Sequence, residues 1–169
     1  TPTTRINMRQ TSKADFEPGI YTFQINLGGI AAHQIQLQQG WNMISIPGHP
    51  INSDPLELFG EESGILLPLY KWIPSQFTYQ SVQELRLGQG YLALCLQEGG
   101  VVVNIETIPV EQYQLTVDHG WNMVGGLSQD VDFVNPLEAP DGSIIPPAFS
   151  WDPTGFTYLQ ADKLLPGQG

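Results

Sequence analysis

The chain states one pattern twice. GWNM at residues 40–43 returns at 120–123, and WIPSQFTY at 72–79 returns as WDPTGFTY at 151–158. Set 80 apart at GWNM, the copies match upstream without a gap: Gly19 with Gly99, Ile25 with Ile105, Gln34 with Gln114, Gly40 with Gly120. A period of this length makes each copy one supersecondary unit near the lower size limit for an independent core. The expectation is therefore two mutually supporting repeats, residues 19–98 and 99–169, preceded by an arm at 1–18. Both copies reach GQG, at 88–90 and 167–169, and the first runs on into the apolar segment YLALCLQ at 91–97. The second copy stops at Gly169, where that segment would begin, so its closing strand is expected to be missing.

Within each copy the local pattern is β. IYTFQINL at 20–27 and VVVNIETI at 101–108 alternate or are β-branched, as strands are. IQLQQGWNMISIP at 35–47 and LTVDHGWNMVGGL at 115–127 read as strand pairs bent at Gly40 and Gly120. DPLELF at 54–59 and NPLEAP at 135–140 place Asp or Asn before Pro, the signature of one short helical turn. The FTY segments read as strands, and the 18 Gly and 14 Pro punctuate many short elements. The fold class expected is all-β: two tandem sandwich- or barrel-like repeats of about 80 residues with short helical turns, plus an extended N-terminal arm.

Charge is sparse and uneven. Arg5, Arg9 and Lys13 lie in the first 13 residues, while all 17 acidic residues lie at Asp15 or beyond, against Lys71, Arg86 and Lys163. A basic arm is thus attached to an acidic body, which argues against nucleic acid or an anionic membrane as partner, because both select clustered Lys and Arg. No apolar run approaches the roughly 20 residues that cross a bilayer, so membrane insertion is not expected. A start at Thr1 without an initiator Met fits a processed, exported chain or an excised fragment.

No catalytic pattern emerges, and neither enzyme activity nor a metal or cofactor is expected. Cys95 sits inside YLALCLQ and reads as a buried structural thiol. His33, His49 and His119 occupy no recognised catalytic motif and are not repeated, their matches being Tyr113, an unmatched loop and Gln39. Glu61 and Glu62 read as a solvated turn rather than an acid/base pair. Asp130, Asp132 and Asn135 offer oxygen ligands of the kind Ca²⁺ takes, but lack the glycine and terminal Glu of an EF-hand loop and read as an acidic loop. The recurring aromatics Trp41, Trp72, Tyr79, Trp121, Trp151 and Tyr158 are expected in the repeat core, since an aromatic kept in both copies usually buries a large area. Exposed on one face, Trp72 with Tyr79 and Trp151 with Tyr158 would instead form a carbohydrate platform.

Taken in order, a β segment, GWN leading into an apolar strand, a capped turn, a Trp strand with a nearby Tyr and an L-x-G-x-G-Y turn resemble the GWN-type β repeats of large secreted and surface-anchored bacterial and archaeal proteins. The resemblance covers roughly residues 19–97 and 99–169, and implies an extracellular, noncatalytic architectural module. The second copy departs from it at VGGLS, where the first has ISIPG, and in lacking the Tyr strand.

The arm stands before Gly19 where YLALCLQ stands before Gly99. Its residues alternate, Thr4, Ile6 and Met8 on one face against Arg5, Asn7 and Arg9 on the other, as in a half-buried strand. Folding back onto its own second repeat would take it past the whole first repeat, and 13 extended residues reach at most roughly 45 Å. The expectation is that Thr4, Arg5, Ile6, Met8, Arg9 and Lys13 form a donor arm entering the second repeat of another copy. The product is a head-to-tail, pilus-like homopolymer at the cell surface. The alternative is a glycan- or protein-binding module from a larger surface protein.

Overall fold

The computed structural model describes residues 29–60, 64–134 and 142–169. The donor-arm residues, the segment 20–27, Glu61, Glu62 and the 135–140 turn lie outside the described residues. The protein is all-β with antiparallel sheets, as expected.

The first unit is sandwich-like. β1 (Ala31–Leu37) and β7 (Val101–Ile108) pair over their length, Ala31 opposite Thr107 through Leu37 opposite Val101, with the short β3 (His49–Pro50) on the far side of β7. The facing sheet runs β2 (Gly40–Ser45), β6 (Gly90–Cys95), β4 (Ile65–Ile73), β5 (Thr78–Ser81). Alternation along the strands turns Ile35 and Leu37, Val103 and Ile105, and Tyr91, Ala93 and Cys95 into one shared core. Each of the larger apolar side chains stabilises the fold by roughly 1.5–3 kcal/mol. Asp54 caps helix α1 (Pro55–Phe59), accepting from the Leu56 amide at 2.8 Å, and Phe59 drops fully buried onto the core. Cys95 is the buried thiol expected.

Packing and sequence repeat are out of phase. β7 opens the second copy in sequence, yet it completes the sandwich of the first, because its inward face Val103, Ile105 and Thr107 meets Ile35 and Leu37.

The second unit is sparser. β9 (Ala148–Asp152) and β10 (Thr157–Ala161) form the hairpin matching β4 and β5, and β8 (Val131–Asp132) pairs β11 (Lys163–Leu164). The strand pair expected at 115–127 does not form: residues 111–120 are exposed and only Val124 makes an isolated bridge. Among the described residues nothing stands beside this segment as β6 and β7 stand beside β2 and β1.

Candidate functional site

The GWN motif is a local clamp. Gly40 adopts φ +100° and Gly120 φ +96°, a region open to glycine at little steric cost. Asn42 then ties the bend: its Oδ1 accepts from the Gln38 amide at 2.9 Å, and its Nδ2 donates to the Gln38 carbonyl at 2.8 Å and the Gly40 carbonyl at 2.9 Å. Asn122 repeats all three bonds with Asp118 and Gly120, at 3.1, 2.8 and 2.9 Å. This bend therefore holds its shape in the second unit without the strands that flank it in the first.

The two clamps face each other across a reciprocal seam. The Trp72 indole N–H donates to the Trp121 carbonyl at 2.9 Å, and the Trp151 indole N–H to the Trp41 carbonyl at 2.7 Å. The Gly90 amide donates to the Met123 carbonyl and the Gly169 amide to the Met43 carbonyl; the Gly125 amide donates to Gly88 and the Ser45 amide to Gly167. Gln89 bridges Val124 as Gln168 bridges Ile44. Contacts that exchange partners in this way define a two-fold relation, here an approximate one within a single chain. Near its axis Ser45 meets Gly125: a Cβ on Gly125 would collide with the Ser45 Cβ. That accounts for Gly125 where the first copy has Ser45, whereas Gly126 lies against the Leu165 backbone.

The aromatics belong to this seam, which corrects their expected place in the core. Trp41 is 39% and Trp121 72% exposed, Tyr79 and Tyr158 are exposed, and Trp72 and Trp151 are half-buried. Their recurrence reflects two-fold contacts rather than two copies of one core. Trp72 packs against Phe77 and Tyr79 with centroids at 6.2 and 5.0 Å, and Trp151 against Phe156 and Tyr158 at 6.4 and 5.1 Å. Phe77 and Phe156 take matching left-handed backbones, φ 48° and 50°, and hold their rings in solvent. Burial, and secondarily the Tyr158 phenol, push the Tyr79 phenol above its ordinary value.

Beside the seam lies an open strand edge. In the first unit β2 bonds the second unit's Gly167–Gly169 on one side and β6 on the other. In the second unit residues 123–125 make the seam bonds, and no described strand takes the side that β6 takes. The neighbouring segment exposes Leu115 (42%) and Val117 (40%), whose counterparts Ile35 and Leu37 are 3% and 0% exposed.

The other candidates stay apart. His33 lies in β1 opposite Ile105, His49 in β3, and His119 in the exposed bend before Gly120. Asp130 pairs with Lys163 at 3.6 Å, and Asp132 accepts from the Val134 amide at 2.8 Å, closing its own turn. Among the described residues no three His, Cys, Asp or Glu side chains converge as metal ligands would, and no helix is long and apolar enough to cross a membrane. Comparison with protein-family models, curated proteins and solved structures found no match.

Proposed function

We propose that this chain is a noncatalytic structural protein of the extracellular surface. In this reading it is a fibre subunit in which the N-terminal arm of one copy supplies the strand that the second unit of the next copy takes. The open edge beside Trp121–Val124 carries the reading, because in the first unit the same edge is filled by β6, whose Tyr91, Ala93 and Cys95 close the core. Unpaired strand edges template the addition of another strand, which brings main-chain hydrogen bonds and seats alternate side chains. The arm offers Thr4, Ile6 and Met8 to the inside and Arg5 and Arg9 to an acidic surface. Head-to-tail donation is heterologous and propagates. The resemblance to GWN-type repeats supports the extracellular, noncatalytic part.

Deleting residues 1–13 is expected to abolish polymers, and a TPTTRINMRQTSK peptide to bind and stabilise the shortened chain. Polymers that persist in the deletion would refute the reading.

A second reading, glycan binding, is favoured by the exposed rings of Phe77 and Tyr79 beside Trp72 and of Phe156 and Tyr158 beside Trp151. These offer apolar faces of the kind that stack on sugar rings. Glycan binding lost on Tyr79→Ala with Tyr158→Ala, in a chain that stays monomeric, would favour it over the fibre.

A further inference from the structure

The two-fold seam specifies what covers the exposed segment at 111–117. We infer that residues 21–27 of the same chain add to it as an antiparallel strand, occupying in the second unit the place that β7 occupies in the first. This does not depend on the fibre reading, which concerns the arm at 1–13 and the place of β6.

Three observations lead here. The first is the chain path: β7 ends at Ile108 and reaches residue 111 through Pro109 and Val110. Under the two-fold, a strand in the matching place of the second unit ends just before β1, and residues 28–30 link 27 to Ala31 as 108–110 link 107 to Glu111. The short linker therefore suffices, and the strand needs no passage around the first unit.

The second is register. Carried over from β1 and β7, the pairing sets Tyr21 opposite Val117, Phe23 opposite Leu115, Ile25 opposite Tyr113 and Leu27 opposite Glu111. Phe23, Ile25 and Leu27 then take the inward positions of Val103, Ile105 and Thr107, which are 7%, 0% and 0% exposed. All three are apolar, and they cover Leu115 and Val117, which otherwise lie bare. A slip by one residue would turn Thr22, Gln24 and Asn26 inward instead.

The third is the outer face. Gln34 donates to Asn104 at 3.3 Å across β1 and β7. The same register sets Gln114 opposite Gln24, an amide pair again, on the solvent side.

That outer pair gives a test that leaves the apolar face untouched. The full chain carrying Gln24→Cys and Gln114→Cys is oxidised in dilute solution, beside an off-register control carrying Gln24→Cys and Thr116→Cys. Native Cys95 is buried and common to both. Directly opposed strand residues place their Cα atoms roughly 4.5–5.5 Å apart, within the roughly 4.4–6.8 Å that a disulfide spans, whereas the diagonal neighbour lies roughly 7–8 Å away. The expected result is a disulfide within one chain, formed roughly tenfold faster in the 24/114 variant than in the control. A disulfide joining two chains, equal rates in the two variants, or none at 24/114 would each overturn the inference. Circular dichroism of both reduced variants checks that they fold; should 24/114 fail, Thr22→Cys with Thr116→Cys tests the same register. Loss of polymers on deleting 1–13 with the disulfide intact would support both readings, whereas polymers persisting in that deletion would refute the fibre alone.

Discussion

The two units share a clamp, a Trp hairpin and a seam, yet one encloses a core and the other bares the same positions. Leu37 is fully buried and its counterpart Val117 exposed; Ile35 is buried and Leu115 exposed. The difference is not in those residues, which are apolar in both copies. It lies in the partner strands: β6 and β7 cover the first unit, and no described strand takes either place in the second. Local motifs therefore hold the bends, while burial depends on partner strands distant in sequence.

The strongest way to break this comparison is to weaken the covered unit. Ile105→Ala removes a fully buried side chain of β7 and should destabilise the protein by about 2–5 kcal/mol in chemical denaturation. A loss under about 1 kcal/mol would mean that β7 does not close the first sandwich.

Alkali offers the next largest contrast, because only the first unit holds a described tyrosine in the β6 position. Burial raises the Tyr91 phenol to about 12, and its oxygen accepts from the Arg86 amide at 2.7 Å. The folded state thus binds this proton more tightly than the unfolded chain, whose tyrosine titrates near about 10. Stability is full below about pH 10 and falls as pH rises towards about 12, by roughly 2–3 kcal/mol. Tyr91→Phe should flatten that part of the pH–stability curve; an unchanged slope would place the alkaline loss elsewhere.

The seam is sharpened by Gly125→Ala. Its added methyl meets Ser45 near the two-fold axis and should destabilise the protein by about 1–3 kcal/mol. Pairing it with Ser45→Gly should recover much of the loss, a coupling read from a double-mutant cycle. Additive effects would mean that the two positions do not meet.

The smallest effect expected is that of Trp72→Phe, which keeps an aromatic ring but removes the N–H donor to Trp121. A loss of about 0.5–1.5 kcal/mol is expected, with a similar one for Trp151→Phe. Unequal losses would show the seam to be lopsided.

Much of the first unit was legible in the sequence. Alternation at Ile35 and Leu37, the Asp54–Pro55 start of the helical turn and the buried Cys95 in YLALCLQ are local patterns, and the structure follows them. The clamp was legible only as a recurring GWN, since the bonds of Asn42 appear once the bend is built. The placement of Trp41, Trp72, Trp121 and Trp151 was misread because recurrence in two copies fits a two-fold contact as well as a repeated core. One signal was available: Gly125 replaces Ser45, and a residue without a Cβ in one copy is what a meeting near an axis requires. That β7 packs with the preceding unit was hidden, because strand pairing is a long-range choice with no local signature.

Amide hydrogen exchange on the intact chain compares the two edges most directly, with residues 32–37 and 112–117 followed in one sample. The seated strand predicts slow exchange at alternate amides of both segments, those of 112–117 protected at least roughly a hundredfold over an open chain. Protection at 32–37 with free exchange throughout 112–117 would contradict it and leave the second unit uncovered.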